Sequence, residues 1–123
     1  MAMSKKILVA DDDPAILDAI KMILEFEGYE VETTTDGEII YKMQKEFPSL
    51  LLLDIWMSGK DGREICRFLK KDPLKKKIPI IMISASRDVM QSAKEAGADD
   101  FIEKPFEIED LLLKVKKYST VVA

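Results

Sequence analysis

The chain has 123 residues, of which 47% are hydrophobic and 34% charged, with a net charge of −4; this is the size of one domain and an acidic balance that argues against direct nucleic-acid binding. No apolar run approaches the ~20 residues a bilayer-spanning helix needs, so no membrane insertion is expected, and the start MAMSKK carries no signal-peptide pattern. Histidine is absent and Cys66 is the one cysteine, which excludes Ser-His, Cys-His and His-metal chemistry and any internal disulfide, and points to a reducing, cytoplasmic setting.

In chain order, KILVA (Lys6–Ala10) is a short apolar run that reads as a buried strand. It stops at Asp11, Asp12 and Asp13, followed by Pro14. Asp before Pro at a helix start makes Asp13 the N-cap and Pro14 the first helical residue. Ile16, Leu17, Ile20, Ile23 and Leu24 then repeat at the helical period, and Gly28 suits the C′ position. Tyr29–Thr33 alternates apolar and polar, the pattern of an outer strand. Asp36-Gly37 is a turn, and Glu38–Phe47 reads as a second helix stopped by Pro48.

Leu50–Leu53 is four leucines ending in Asp54. A strand this uniformly apolar has both faces covered, the habit of parallel sheets. The SGKDG loop leads to a third helix over Arg63–Lys71, closed by Asp72-Pro73. Lys75, Lys76 and Lys77 read as a solvated basic loop. PIIMIS (Pro79–Ser84) is a fourth strand, Arg87–Ala96 a helix ended by Gly97, Asp100–Glu103 a fifth strand, and Glu109–Tyr118 the last helix. Strand and helix alternate about five times, which predicts right-handed βαβ units: an α/β fold with a five-stranded, doubly wound parallel sheet and helices on both faces. One domain is expected over residues 1–123, with its core at about 5–118.

The ends of the predicted strands share a chemistry. Asp11 and Asp12 follow the first, Asp54 ends the third, Ser84 the fourth, and Lys104 follows the fifth. Open α/β sheets place ligands at these carboxyl ends. Three carboxylates in one cleft repel one another. Mg²⁺, a hard cation bound by a few carboxylates, water and phosphate oxygens, would relieve that. A lysine and a hydroxyl suit a phosphoryl group, and a carboxylate can act as the nucleophile toward one.

The ordered motifs KILVADDDPAIL, LLLLDIWMSGKDG, IIMISAS and AGADDFIEKPF resemble the receiver domains of two-component response regulators, over essentially the whole chain. The resemblance implies a flavodoxin-like strand order 2-1-3-4-5, the order that flavodoxin shares with a chemotaxis receiver. It implies that Asp54 is the phospho-acceptor for a partner's phosphohistidine, on a sensor histidine kinase or a phosphotransfer protein. It implies that Asp11, Asp12, Asp54 and the backbone carbonyl of Trp56 hold Mg²⁺, that Ser84 and Lys104 bind the phosphoryl group, and that the Lys104–Pro105 bond is cis. Phe101 matches the switch aromatic that follows Ser84. Together they would bias the face of the fourth helix, fifth strand and fifth helix, where a partner or a second copy docks. That face carries Arg87, Glu95, Glu107, Glu109 and Lys116. A receiver of this kind assists its own phosphorylation and dephosphorylation and is not a turnover enzyme.

Three positions depart from the family's usual pattern or matter for rate. Ser58 stands where Pro is usual, which loosens the loop after Asp54. Phe101 has no hydroxyl for a switched-state hydrogen bond. Trp56 is bulky and is expected to restrict water and slow loss of the phosphoryl group. Two competing readings are a degenerate receiver that acts only as an interaction module, and a flavodoxin-like cofactor binder or Asp-based phosphohydrolase. All acidic and lysine positions are present, against the first. The loop DDDP lacks a phosphate cradle, and Trp56 stands where a second acid would be needed, against the second.

Overall fold

The computed structural model describes residues 6–119 apart from Lys45, Ser58 and residues 86–88. The elements are β1 (Lys6–Ala10), α1 (Pro14–Phe26), β2 (Glu30–Thr34), α2 (Glu38–Lys42), β3 (Leu50–Asp54), β4 (Trp56–Met57), β5 (Lys60–Asp61), α3 (Gly62–Lys71), β6 (Ile80–Ser84), α4 (Val89–Ala96), β7 (Asp100–Glu103) and α5 (Ile108–Ser119). Five strands form a parallel sheet in the order β2-β1-β3-β6-β7. With the short β4–β5 hairpin set aside, this is the expected order 2-1-3-4-5.

The four leucines of β3 explain the architecture. Successive side chains of a strand point to opposite faces. Leu50 and Leu52 enter the apolar layer shared with α1 and α5. Leu51 and Leu53 enter the layer shared with α2, α3 and α4. All four are fully buried, each worth about 2 kcal/mol of burial. β2 has one strand neighbour and alternates exposed and buried residues, as an edge strand should.

Two expectations are corrected. The second helix ends at Lys42 rather than Phe47: Met43 is already extended, with ψ of 130°. The ammonium of Lys75 donates to the carbonyl of Tyr41, in the last turn of α2, at 3.1 Å, a favourable place for a cation at a helix C-terminus. Lys75 is accordingly buried rather than solvated, and it lies over the Phe68 ring, while Lys76 and Lys77 are exposed. Smaller shifts put β2 one residue later than expected and start α3 at Gly62. The start of the fourth helix at Arg87 lies outside the described residues. Among the described residues, no helix is long and apolar enough to cross a membrane.

Candidate functional site

Each candidate residue is placed by the backbone of a strand end. The amide of Asp11 donates to the carbonyl of Thr34 at 3.2 Å, which carries the β1–β2 ladder one residue past the strand. The Asp11 side chain is thereby buried. Its Oδ1 accepts from the Asp13 amide at 3.0 Å, and Asp13 caps α1 by accepting from the Ala15 amide at 2.9 Å, with Pro14 at the helix start. Asp12 between them is exposed. Asp54 ends β3, where the next amide, of Ile55, donates to Ile83 of β6 at 3.1 Å. The amide of Lys104 donates to the carbonyl of Ser84 at 2.9 Å, so the ends of β6 and β7 are tied together. The Lys104–Pro105 bond is cis.

These placements bring the charged groups together. Carboxylate oxygens of Asp11, Asp12 and Asp54 lie within 4.8 Å of one another. The ammonium of Lys104 is 2.8 Å from Asp11 Oδ2 and 3.8 Å from Asp54 Oδ1. Asp11 and Asp54 thus share the Lys104 ammonium. Burial and the Asp11 charge push the Asp54 carboxyl up to about 6, against the opposing pull of Lys104 and a hydrogen bond donated by the Trp56 backbone amide; Asp12 adds to the rise. A further cation in this cleft would lower that carboxyl again. The donor set is all hard oxygen, which suits a divalent ion such as Mg²⁺. Ser84 lies on the same rim and is buried. Phe101 sits on β7, half-buried, with the Lys114 ammonium 4.7 Å from its ring centroid and donating to its carbonyl. Ser58 and Arg87 lie outside the described residues.

The loop after Asp54 holds what sequence reasoning missed. Trp56–Met57 pairs antiparallel with Lys60–Asp61, Trp56 opposite Asp61. Asp61 caps α3, accepting from the Arg63 amide at 2.9 Å; the Asp-Gly pair before an apolar-periodic stretch is the signal that could have shown it. Gly62 is required by space: a Cβ there would collide with the Asp54 carbonyl oxygen and come within 3.0 Å of Ile55 Cα. The first turn of α3 therefore rests directly on the strand end that carries Asp54. The Trp56 indole is 57% exposed and carries the Arg63 guanidinium over its ring.

Residues 7–116 match the family model of the response regulator receiver domain. Among solved structures, the chain is similar to the receiver domain of NtrX from Brucella abortus, with 35% identity over 94% of this chain and 99% of that one and a TM-score of 0.84. It is similar to a CheY-like response regulator receiver domain protein from Methanospirillum hungatei, with 41% identity over 96% and 94% of the two chains and a TM-score of 0.80. It is also similar to the response regulator TrrA of Thermotoga maritima, solved in complex with Mg²⁺ and BeF, with 34% identity over 94% and 99% and a TM-score of 0.81. The sheet order, the acidic cleft and these matches agree: the chain belongs to the response regulator receiver domains of two-component signalling.

Proposed function

We propose that Asp54 accepts a phosphoryl group from the phosphohistidine of a sensor histidine kinase or phosphotransfer protein, and that the chain is a signalling switch rather than a turnover enzyme. The observation that carries this reading is the placement of Asp54: a buried carboxylate with a lysine 3.8 Å away and two further carboxylates beside it. An Oδ of Asp54 attacks phosphorus, the bond from phosphorus to the imidazole nitrogen breaks, and its electron pair stays on the imidazole of the donor. Lys104 neutralises the phosphoryl oxygens, and in doing so exchanges its bond to Asp11 for one to the incoming group. The Ser84 hydroxyl donates to another of those oxygens. Asp11, Asp12, Asp54 and the Trp56 carbonyl would hold Mg²⁺, which supplies charge neutralisation for the three carboxylates and the phosphoryl group. The complex of the Thermotoga relative with Mg²⁺ and BeF supports that assignment.

Loss of the phosphoryl group regenerates the switch. Water attacks phosphorus, the bond to Asp54 Oδ breaks with its electrons returning to the carboxylate, and phosphate leaves. Trp56 limits that water and lengthens the phosphorylated state. Ser84 and Phe101 relay the state of Asp54 to the face of α4, β7 and α5, where a partner or a second copy docks. The test is acetyl phosphate with Mg²⁺ followed by intact mass: the wild-type chain gains one phosphoryl group and Asp54→Ala gains none. An unchanged wild-type mass contradicts the reading.

A further inference from the structure

Arg63 lies off the rim, yet it is bound to the loop that leaves Asp54 in three ways. Its guanidinium carbon is 4.9 Å from the centroid of the Trp56 ring. Its planar fork grips Asp61, Nε to Oδ1 at 3.0 Å and Nη2 to Oδ2 at 2.8 Å, and Asp61 is the residue opposite Trp56 in the hairpin. Its neighbour Gly62 rests on the Asp54–Ile55 backbone with no room for a side chain. Direct contacts therefore join the arginine to Trp56 and Asp61, and its neighbour Gly62 to the strand end. The Trp56 backbone is itself fixed, because its amide donates to the Asp54 carboxylate. What stays open is the direction of the indole. An aromatic side chain that is 57% exposed has few packing contacts to select one rotamer, and a stacked guanidinium supplies one.

We propose that Arg63 is a positioning residue that holds the Trp56 indole as a wall beside Asp54 and so sets how long the phosphoryl group survives. It rests on the reading of Asp54 as phospho-acceptor. The step it governs is hydrolysis: water attacks phosphorus, the bond to Asp54 Oδ breaks, the carboxylate keeps the electron pair, and the proton of the attacking water passes to phosphate and solvent. Arg63 touches none of the reacting atoms. Its effect reaches them through one side chain, and that distinguishes it from a residue that merely stabilises the start of α3.

The test uses the full chain with Arg63→Met and Arg63→Lys, each alone and combined with Trp56→Asn. Proteins are loaded with acetyl phosphate and Mg²⁺, freed of the donor, and followed by intact mass. Arg63→Met shortens the phosphoryl lifetime about two- to five-fold, the size of one exposed guanidinium–indole contact expressed as a rate ratio. Arg63→Lys, which keeps the cation without the fork, falls between. In the Trp56→Asn background Arg63→Met changes nothing further. Trp56 is the one tryptophan, so its emission reports the wall directly: acrylamide quenches it more in Arg63→Met than in wild type. Equal shortening in both backgrounds, or no shortening with Trp56 present, overturns the proposal while leaving Asp54 as acceptor. A wild-type chain that takes up no phosphoryl group brings down the acceptor reading, and this proposal with it. Should Arg63→Met fail to fold, Arg63→Lys carries the same comparison.

Discussion

The two ends of the sheet each gather aspartates and lysines, and they balance them differently. At the end where β6 and β7 begin, Asp99 accepts from Lys70 and from the Ile80 amide, both at 2.8 Å. Asp100 accepts from the Phe101 amide, the Lys114 ammonium and the Tyr118 hydroxyl. Two carboxylates there have two ammonium partners. Burial raises the Asp100 carboxyl, but these hydrogen bonds outweigh it and hold it below its ordinary range. At the opposite end the carboxylates of Asp11, Asp12 and Asp54 cluster, Lys104 pairs with Asp11 and Asp54, and the Asp54 carboxyl is pushed up to about 6. At the first end the hydrogen bonds hold a carboxylate low and tie the fold together. At the second a buried carboxylate is raised beside two others, which suits the uptake of a cation and of a group that lysine can bind.

Substitutions at the two ends should act differently. The largest effect is expected at Gly62, where α3 meets the strand end that carries Asp54: Gly62→Ala forces backbone apart and should cost about 3 kcal/mol in chemical denaturation. A loss under about 1 kcal/mol would show that the contact yields easily. At the Asp99 end, Asp99→Ala strands the Ile80 amide and takes the carboxylate from Lys70, whose ammonium keeps the Ile78 carbonyl. A loss of about 2 kcal/mol is expected, with no change in affinity for Mg²⁺.

The pH dependence of metal-free stability should have opposite signs at the two ends. The folded Asp54 carboxyl sits above its unfolded value, so the folded state holds that proton more tightly. Its contribution is full below the unfolded pKa and is lost as pH rises from about 4 to about 6. Asp54→Asn should therefore stabilise the protein at pH 7 by about 1–3 kcal/mol and flatten that limb. Asp100 is depressed, so its contribution is present above the ordinary carboxylate range and is lost as pH falls through the lowered value. Asp100→Asn should weaken the protein at pH 7 and flatten the acid limb instead. Melting curves between pH 3 and about 8 check both.

The smallest expected effect is that of Mg²⁺ itself. At ten times its Kd it should stabilise the wild-type chain by about 1.4 kcal/mol, reversibly with a chelator. Asp12→Asn should lose most of that gain and Asp100→Asn should keep it. Equal gains in both variants would place the ion elsewhere.

Much of this was legible in the sequence, for a physical reason. Strands with both faces buried announce themselves as unbroken apolar runs, as in Leu50–Leu53, and Asp13-Pro14 marks a helix start with two local signals. The rim followed, because a residue at the end of a parallel strand needs only topology to be placed. What escaped notice depends on contacts remote in sequence. Lys75 is buried because it meets Tyr41, 34 residues earlier, and nothing in the run Lys75–Lys77 distinguishes it from its neighbours. The hairpin at Trp56–Asp61 is two residues a side, too short for a periodic signal. Arg63 and Gly62 matter through their distance to Trp56 and Asp54, which spacing alone does not give.

Chemical trapping of the acyl phosphate tests most directly whether Asp54 carries the phosphoryl group. The chain is loaded with acetyl phosphate and Mg²⁺, reduced with borohydride, and digested, and all peptides, including the one that contains Leu50–Gly62, are sequenced by mass spectrometry. Reduction converts an aspartyl phosphate to homoserine. Homoserine at position 54 alone, absent when Mg²⁺ is chelated, is expected. An unmodified peptide, or homoserine at Asp11, Asp12, Asp99 or Asp100 instead, would contradict it.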